Sequence, residues 1–253
     1  MANISYKFTI SMGQMSLFLE KVHDLLTIDD EILLKIDKNN ILIYSIVGEK
    51  TNVNAFKSFI FKTDEIFTFL DEIPKEIRFI IVDGSKFENS LRNYLDFKED
   101  IDCEFSMSDN VYADNFRLKN SKLKLGIIGG DIQAMNTSID IEKMKKTFDK
   151  NNIDFKFILD KGSYTKIKKI ASIDIENDIL TLVVDENKLT IGEGHWNLNI
   201  CDIEHEDLSI TFPKKYFKSI AFTEAEIDIY VFDTFLLIDN QNTTMVIALE
   251  MSV

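Results

Sequence analysis

Glu31-Ile32-Leu33-Leu34-Lys35-Ile36-Asp37-Lys38-Asn39-Asn40-Ile41 lies over Ile179-Leu180-Thr181-Leu182-Val183-Val184-Asp185-Glu186-Asn187-Lys188-Leu189 at an offset of 148. The turn Asp and Asn fall in register, and the apolar residues are largely in phase. The same offset carries Leu19, Val22 and Leu25 onto Ile167, Ile170 and Ile173, a helical spacing in both places. The chain therefore states one helix-then-hairpin unit twice, and a duplication of this length predicts two similar domains side by side.

Ahead of the first of these hairpins, Ser11 and Gln14 have the spacing of a capping box and predict a helix to about Leu26 with Met15, Phe18, Leu19, Val22 and Leu25 on its apolar face. Strands follow at 31–37 and 40–46, joined by a tight turn at Asp37-Lys38-Asn39-Asn40. Residues 49–74 have no good counterpart in the second half. They read as an insertion containing an acidic helical segment at 64–73. A strand at 77–82 and a second capping box, Ser85 to Glu88, then open a helix through about Phe97. Leu208 to Phe212, followed by a helix from Pro213 to Ala221, matches them. Pro213 suits a first helical position, where its missing N–H costs nothing. A rival register, Ile77 over Ile227, leaves the Ser85 helix unmatched. Each copy ends in strands: 101–107, 111–118 and 122–128, then 227–232, 235–238 and 244–251. The expected division is 1–128, a connector at 129–152 with a short helical turn at 141–148, and 153–253. Antiparallel sheet with two helices per unit is an α+β arrangement.

The chain has 253 residues, 45% of them hydrophobic, enough for two cores. No apolar run approaches the roughly 18 to 20 residues needed to span a bilayer, and the N-terminus lacks a signal-like pattern. Both point to a cytoplasmic protein. Cys103 and Cys201 fall on expected strands without metal-like spacing, and read as core thiols in a reducing compartment. His23, His195 and His205 are the only histidines. No nucleophile elbow or phosphate loop accompanies them, and Glu204-His205-Glu206 reads as a solvated loop, so no catalytic residue, metal or cofactor is expected.

A net charge of −14 argues at first against a nucleic-acid partner, but its distribution matters more. On a helical wheel, Lys214, Lys215 and Lys218 oppose Tyr216, Phe217 and Ile220. Lys168 and Lys169 lie away from Ile167 and Ile170, with Lys161 and Lys166 at the margin. Arg92 opposes Phe87, Leu91 and Tyr94, and Lys86 opens the same helix. For one helix, this is the ordinary solvated face of a Lys-rich chain. Recurrence in three helices predicts a basic surface that neutralises phosphates without reading bases. The first helix departs from it, carrying Glu20, Lys21 and Asp24.

At this point the residues resemble the DNA sliding clamps, the family of proliferating-cell nuclear antigen and the T-even phage clamps. Carrying the resemblance are the paired α+β domains, the segment Ser209-Ile210-Thr211-Phe212-Pro213-Lys214-Lys215-Tyr216-Phe217, and the ending Met245-Val246-Ile247-Ala248-Leu249-Glu250. The resemblance implies two pseudosymmetric clamp domains with antiparallel sheets outside and helices inside. It further implies a homotrimeric ring around duplex DNA, tethering a DNA polymerase and opened by an ATP-dependent loader, in the host cytoplasm if phage-encoded. Carried over by position, ring contacts would join sheet edges at 110–119 and 195–202. An exposed strip of Ile132, Met135 and Ile139 beside Leu249 and Met251 would receive partner peptides. An adaptor of the same fold without a ring, and an acidic enzyme, are the alternatives.

Overall fold

The computed structural model describes residues 4–49, 52–73, 76–108, 111–131, 148, 150–173, 177–222, 224–240 and 242–250. The chain divides into two compact units. One comprises Met1–Thr51 and Lys57–Ser138, the other Asn52–Phe56 and Ile139–Val253.

The first unit runs β1 (Ile4–Ile10), α1 (Met12–Leu25), β2 (Ile32–Ile36), β3 (Asn40–Glu49), β4 (Asn52–Lys62, which belongs to this unit from Lys57 on), α2 (Thr63–Ile66), β5 (Thr68–Phe69), β6 (Ile77–Ile81), α3 (Gly84–Leu95), β7 (Ile101–Met107), β8 (Ala113–Lys119) and β9 (Lys124–Ile128). Its strands form the sheet β5-β1-β7-β8-β9 and the run β4-β3-β2-β6. In the second unit, a 3-10 turn at Lys150–Asn152 precedes β10 (Phe155–Asp160), α4 (Lys161–Ala171), β11 (Ile179–Asp185), β12 (Lys188–Glu193), β13 (Trp196–Asp202), β14 (Leu208–Pro213), α5 (Lys214–Phe217), β15 (Glu226–Val231), β16 (Phe235–Asn240) and β17 (Thr243–Ala248). They give the run β10-β15-β16-β17 and the sheet β13-β12-β11-β14. The strand orders repeat, and β6 followed by α3 matches β14 followed by α5. The register that aligned those segments is the one the chain folds in.

Two features at residues 49–74 differ from expectation. β4 occupies the place in its run that β13 occupies in the second unit, so the unmatched stretch narrows to the one-turn α2, β5 and the segment leading to β6. The acidic segment is not a continuous helix: Thr68 and Phe69 pair with Thr9 and Phe8 as a strand. Phe67, Phe69, Phe105 and Phe116 surround Phe8 with ring centroids 4.7 to 5.9 Å away, and this aromatic packing fixes the segment in place.

Local capping sets the helix starts. At α1 the box forms: Ser11 N donates to Gln14 Oε1 at 2.8 Å, and Gln14 N donates to Ser11 Oγ at 3.4 Å. At α3 the expected box at Ser85 does not form, because Asp83 accepts from Lys86 N at 2.7 Å and Ser85 turns its hydroxyl to Asp30 Oδ1. A carboxylate beside an orphan N–H outcompetes a hydroxyl. The expected turn at 141–148 falls, apart from residue 148, outside the described residues. Of the two cysteines, Cys103 is buried and its thiol is pushed well up by burial, whereas Cys201 is only half-buried on β13.

Gly84, the first residue of α3, has no room for a side chain: a Cβ would stand 2.6 Å from Leu26 Cδ2 and 2.8 Å from Asp30 O. Gly84→Ala should therefore cost about 1–3 kcal/mol in denaturant unfolding. Gly13→Ala, with nothing within 4 Å, should be neutral or slightly stabilising. Equal stability of both variants would contradict the close approach at Gly84.

Candidate nucleic-acid interface

α4 exists because Asp160 caps it. The Asp160 carboxylate accepts from Ser163 N at 2.9 Å, and its bonds to Ser163 hold its pKa below the usual range. Tyr164, Ile167 and Ala171 are the buried stripe. Lys161, Lys166, Lys168 and Lys169 are all exposed, and the helix contains no acidic residue. Lys168 and Lys169 stand in the last turn, where the helix dipole favours cations.

α5 lies beside it. Tyr164 Oη is 2.8 Å from Lys218 O and 3.0 Å from Ile220 O, so a residue of α4 holds the chain just after α5. The same bonds explain why the expected helix to Ala221 stops after one turn. The Lys218 and Ile220 carbonyls accept from the Tyr164 hydroxyl, and Ser219 Oγ donates back to Tyr216 O at 2.6 Å. Pro213 is the last residue of β14 and the N-cap of α5, one place ahead of the first helical position. Lys215 is exposed and Lys218 half-buried. Lys214 is not on the solvent face. Its side chain is buried, with Nζ 3.0 Å from the fully buried Glu193 Oε1. The wheel assumed a helix from Pro213 to Ala221, whereas the helix is a single turn, Lys214–Phe217, whose first residue faces the core.

The first unit is electrically different. Lys86 and Arg92 are exposed on α3 as expected, but Arg92 Nε donates to the buried Glu88 Oε1 at 2.9 Å, and Glu88 also lies 3.2 Å from His23 Nδ1 on α1. Arg92 is thus half neutralised. On α1, Lys21 pairs with Glu20 at 2.6 Å. The basic surface expected from three helices is therefore concentrated on α4, joined by Lys215 and in part by Lys218.

Two strand edges complete the geometry. β8 is not an edge, since it pairs with both β7 and β9, so the edge expected at 110–119 belongs instead to β9. The edge expected at 195–202 is β13, which ends its sheet. Ile128 on β9 is 79% exposed, and a hollow of about 310 Å³ beside it is lined by Ile81, Val82, Phe87, Leu125 and Ile127. Of the expected peptide strip, Ile132, Met135, Ile139 and Met251 lie outside the described residues. Leu249 is half-buried, with its N–H on Thr234 O at 2.9 Å.

No protein-family profile matches the chain, and no curated protein does. Solved structures do. The beta subunit of DNA polymerase III from Borrelia burgdorferi, solved with a natural product, aligns at TM-score 0.68 and 13% identity over 97% of this chain and 65% of that one. Proliferating Cellular Nuclear Antigen from Entamoeba histolytica aligns at 0.63 and 16% over 97% of this chain and 99% of that one. The A. fulgidus PCNA bound to the C-terminal region of FEN-1 aligns at 0.64 and 11%, over 98% and 99%. The chain thus spans somewhat less than two thirds of the first and nearly the whole of the other two. It has the α+β sliding-clamp fold.

Buried and exposed lysines of α5 should respond oppositely to truncation. Lys215→Ala should change unfolding free energy by under about 0.5 kcal/mol. Lys214→Ala, which strands the Glu193 charge, should cost about 3–5 kcal/mol. Comparable losses for the two would contradict the buried pair.

Proposed function

We propose that this chain is a DNA sliding clamp, a homotrimeric ring that encircles duplex DNA without reading its sequence and tethers a DNA polymerase. The observation that carries the reading is the acid-free face of α4, with four exposed lysines, in a chain of net charge −14. Such a face attracts phosphates while the rest of the molecule repels them. Lys161, Lys166, Lys168, Lys169, Lys215 and Lys218 are the proposed phosphate contacts, with Lys86 and Arg92 as lesser ones.

Ring closure is proposed between β9 of one subunit and β13 of the next. An open strand edge offers unpaired N–H and C=O groups to another chain, and a head-to-tail contact closes into a ring when its rotation allows. Leu125, Ile127 and Ile128 on β9, and Leu198 and Ile200 on β13, are incompletely buried apolar residues suited to that contact. An ATP-dependent loader would open the ring. Short partner peptides would dock near the connector and tail; the A. fulgidus protein has the C-terminal region of FEN-1 bound to it. The protein would act as a non-enzymatic scaffold inside the cell, at replication sites. An adaptor of the same fold would leave both edges unpaired and stay monomeric.

The test is retention on DNA. Loaded protein should remain on closed circular DNA and be lost when that DNA is linearised. Changing Lys166, Lys168, Lys169 and Lys215 together to Ala should preserve the fold and lower the salt slope of binding by about one for each phosphate no longer neutralised. The same number of Lys→Ala changes on strand residues is the control. Tight binding to one sequence on a linear fragment, or equal losses from both lysine sets, would refute the reading.

A further inference from the structure

The second unit buries a charge pair that the clamp reading leaves unused. Glu193 ends β12 and is paired across the hairpin with Trp196, the first residue of the edge strand β13. Its carboxylate is fully buried and meets Lys214 Nζ, the first residue of α5, at 3.0 Å. Burying two charges is costly, and apolar side chains of the same volume often serve stability as well or better. What such a pair can supply is a single permitted arrangement of the elements that carry it.

The pair is stiffly connected at both ends. A Cβ on Gly192 would stand 2.0 Å from Trp196 O and 2.8 Å from Asn197 Cα, so β12 and β13 approach backbone to backbone beside Glu193. A shift of Glu193 carries Trp196 with it. At the other end, Lys214 N donates to Asp178 O at 2.8 Å, and the next residue, Lys215, is exposed. The corresponding helix start in the first unit is Gly84, which has no side chain to reach inward.

We propose that the Glu193–Lys214 pair couples the phosphate-facing turn of α5 to the edge strand β13, with both residues acting as positioning residues. What sits at each end rests on the clamp reading: nucleic-acid phosphates at Lys215, a second copy of the chain at β13. Coupling of this kind is reciprocal, so a duplex bound at one end changes the edge, and occupation of the edge changes duplex affinity by the same factor. Trp196 is the only tryptophan in the chain, has its indole N–H buried and is the cross-strand partner of Glu193, which makes it a built-in reporter.

A short labelled duplex is titrated at low salt into the wild type and into Glu193→Gln/Lys214→Met. Binding is read by anisotropy, the edge by Trp196 emission, folding by circular dichroism and assembly by native mass. The duplex should shift Trp196 emission in the wild type, and the double variant should lose at least half of that shift. Binding without an emission shift in the wild type, or equal shifts in both proteins, overturns the coupling alone. Absence of binding overturns the clamp reading and the coupling with it. A monomeric mass removes the ring but leaves the emission test standing. Should the double variant not fold, hydrogen exchange on the wild type decides. Amides of 193–198 should slow about five-fold or more with duplex, the scale of a modest coupling. Slowing confined to α4 and α5 would sink the proposal.

Discussion

α3 and α5 begin on the same backbone hydrogen bond: Gly84 N–H to Asp30 O, and Lys214 N–H to Asp178 O, each 2.8 Å. This bond ties the first residue of the helix to the residues just ahead of β2 or β11. It comes two residues after β6 and directly after β14, which pair with those strands along their length. The helix can then start at only one height and in one direction relative to the sheet. Its partner helix packs beside it through His23, Glu88 and Arg92 in one unit and through Tyr164 in the other. Which side chains reach solvent follows from that constraint. Gly84 fits where no Cβ can, while Lys214 at the equivalent place turns into the core.

The same constraint sorts the charge. α1 with α3, and α4 with α5, have different electrical characters. In the first, acids on α1 and α3 are interleaved with the cations, so attraction and repulsion nearly cancel at helical spacing. In the second, α4 carries lysines alone. A protein with an excess of acids can hold DNA loosely only if its cations are segregated in this way, because the general field would otherwise repel phosphates. Confining the exposed cations to one short helix and its neighbouring turn also limits how many phosphates can be neutralised, and so keeps affinity modest.

The duplication was legible because a hairpin with Asp and Asn in its turn is a strong local signal, and both copies carry it. The capping box at Ser11 was legible for the same reason. β4 was not, because residues 55 to 59 are all buried and include Lys57 and Ser58, so no alternation of polar and apolar residues marks the strand. Lys57 is fully buried, with Nζ 3.3 Å from Asp24 O, an arrangement made by residues far apart in sequence. Lys214 escaped for a related reason: its partner Glu193 is brought to it only by the fold. Exposure of Lys161, Lys166, Lys168 and Lys169 could be read from the sequence because helical periodicity alone decides it. The true edge strand, β9 in place of β8, needed the sheet order.

Closure of identical copies into the proposed ring, with a hole for duplex DNA, is tested most plainly by direct imaging of the assembled protein. The expected result is a single oligomer of three subunits whose projections show a central hole wide enough to pass a duplex, and which dissociates when Ile128→Glu places a charge on β9. A solid particle, or a stable monomer at all concentrations, would contradict it.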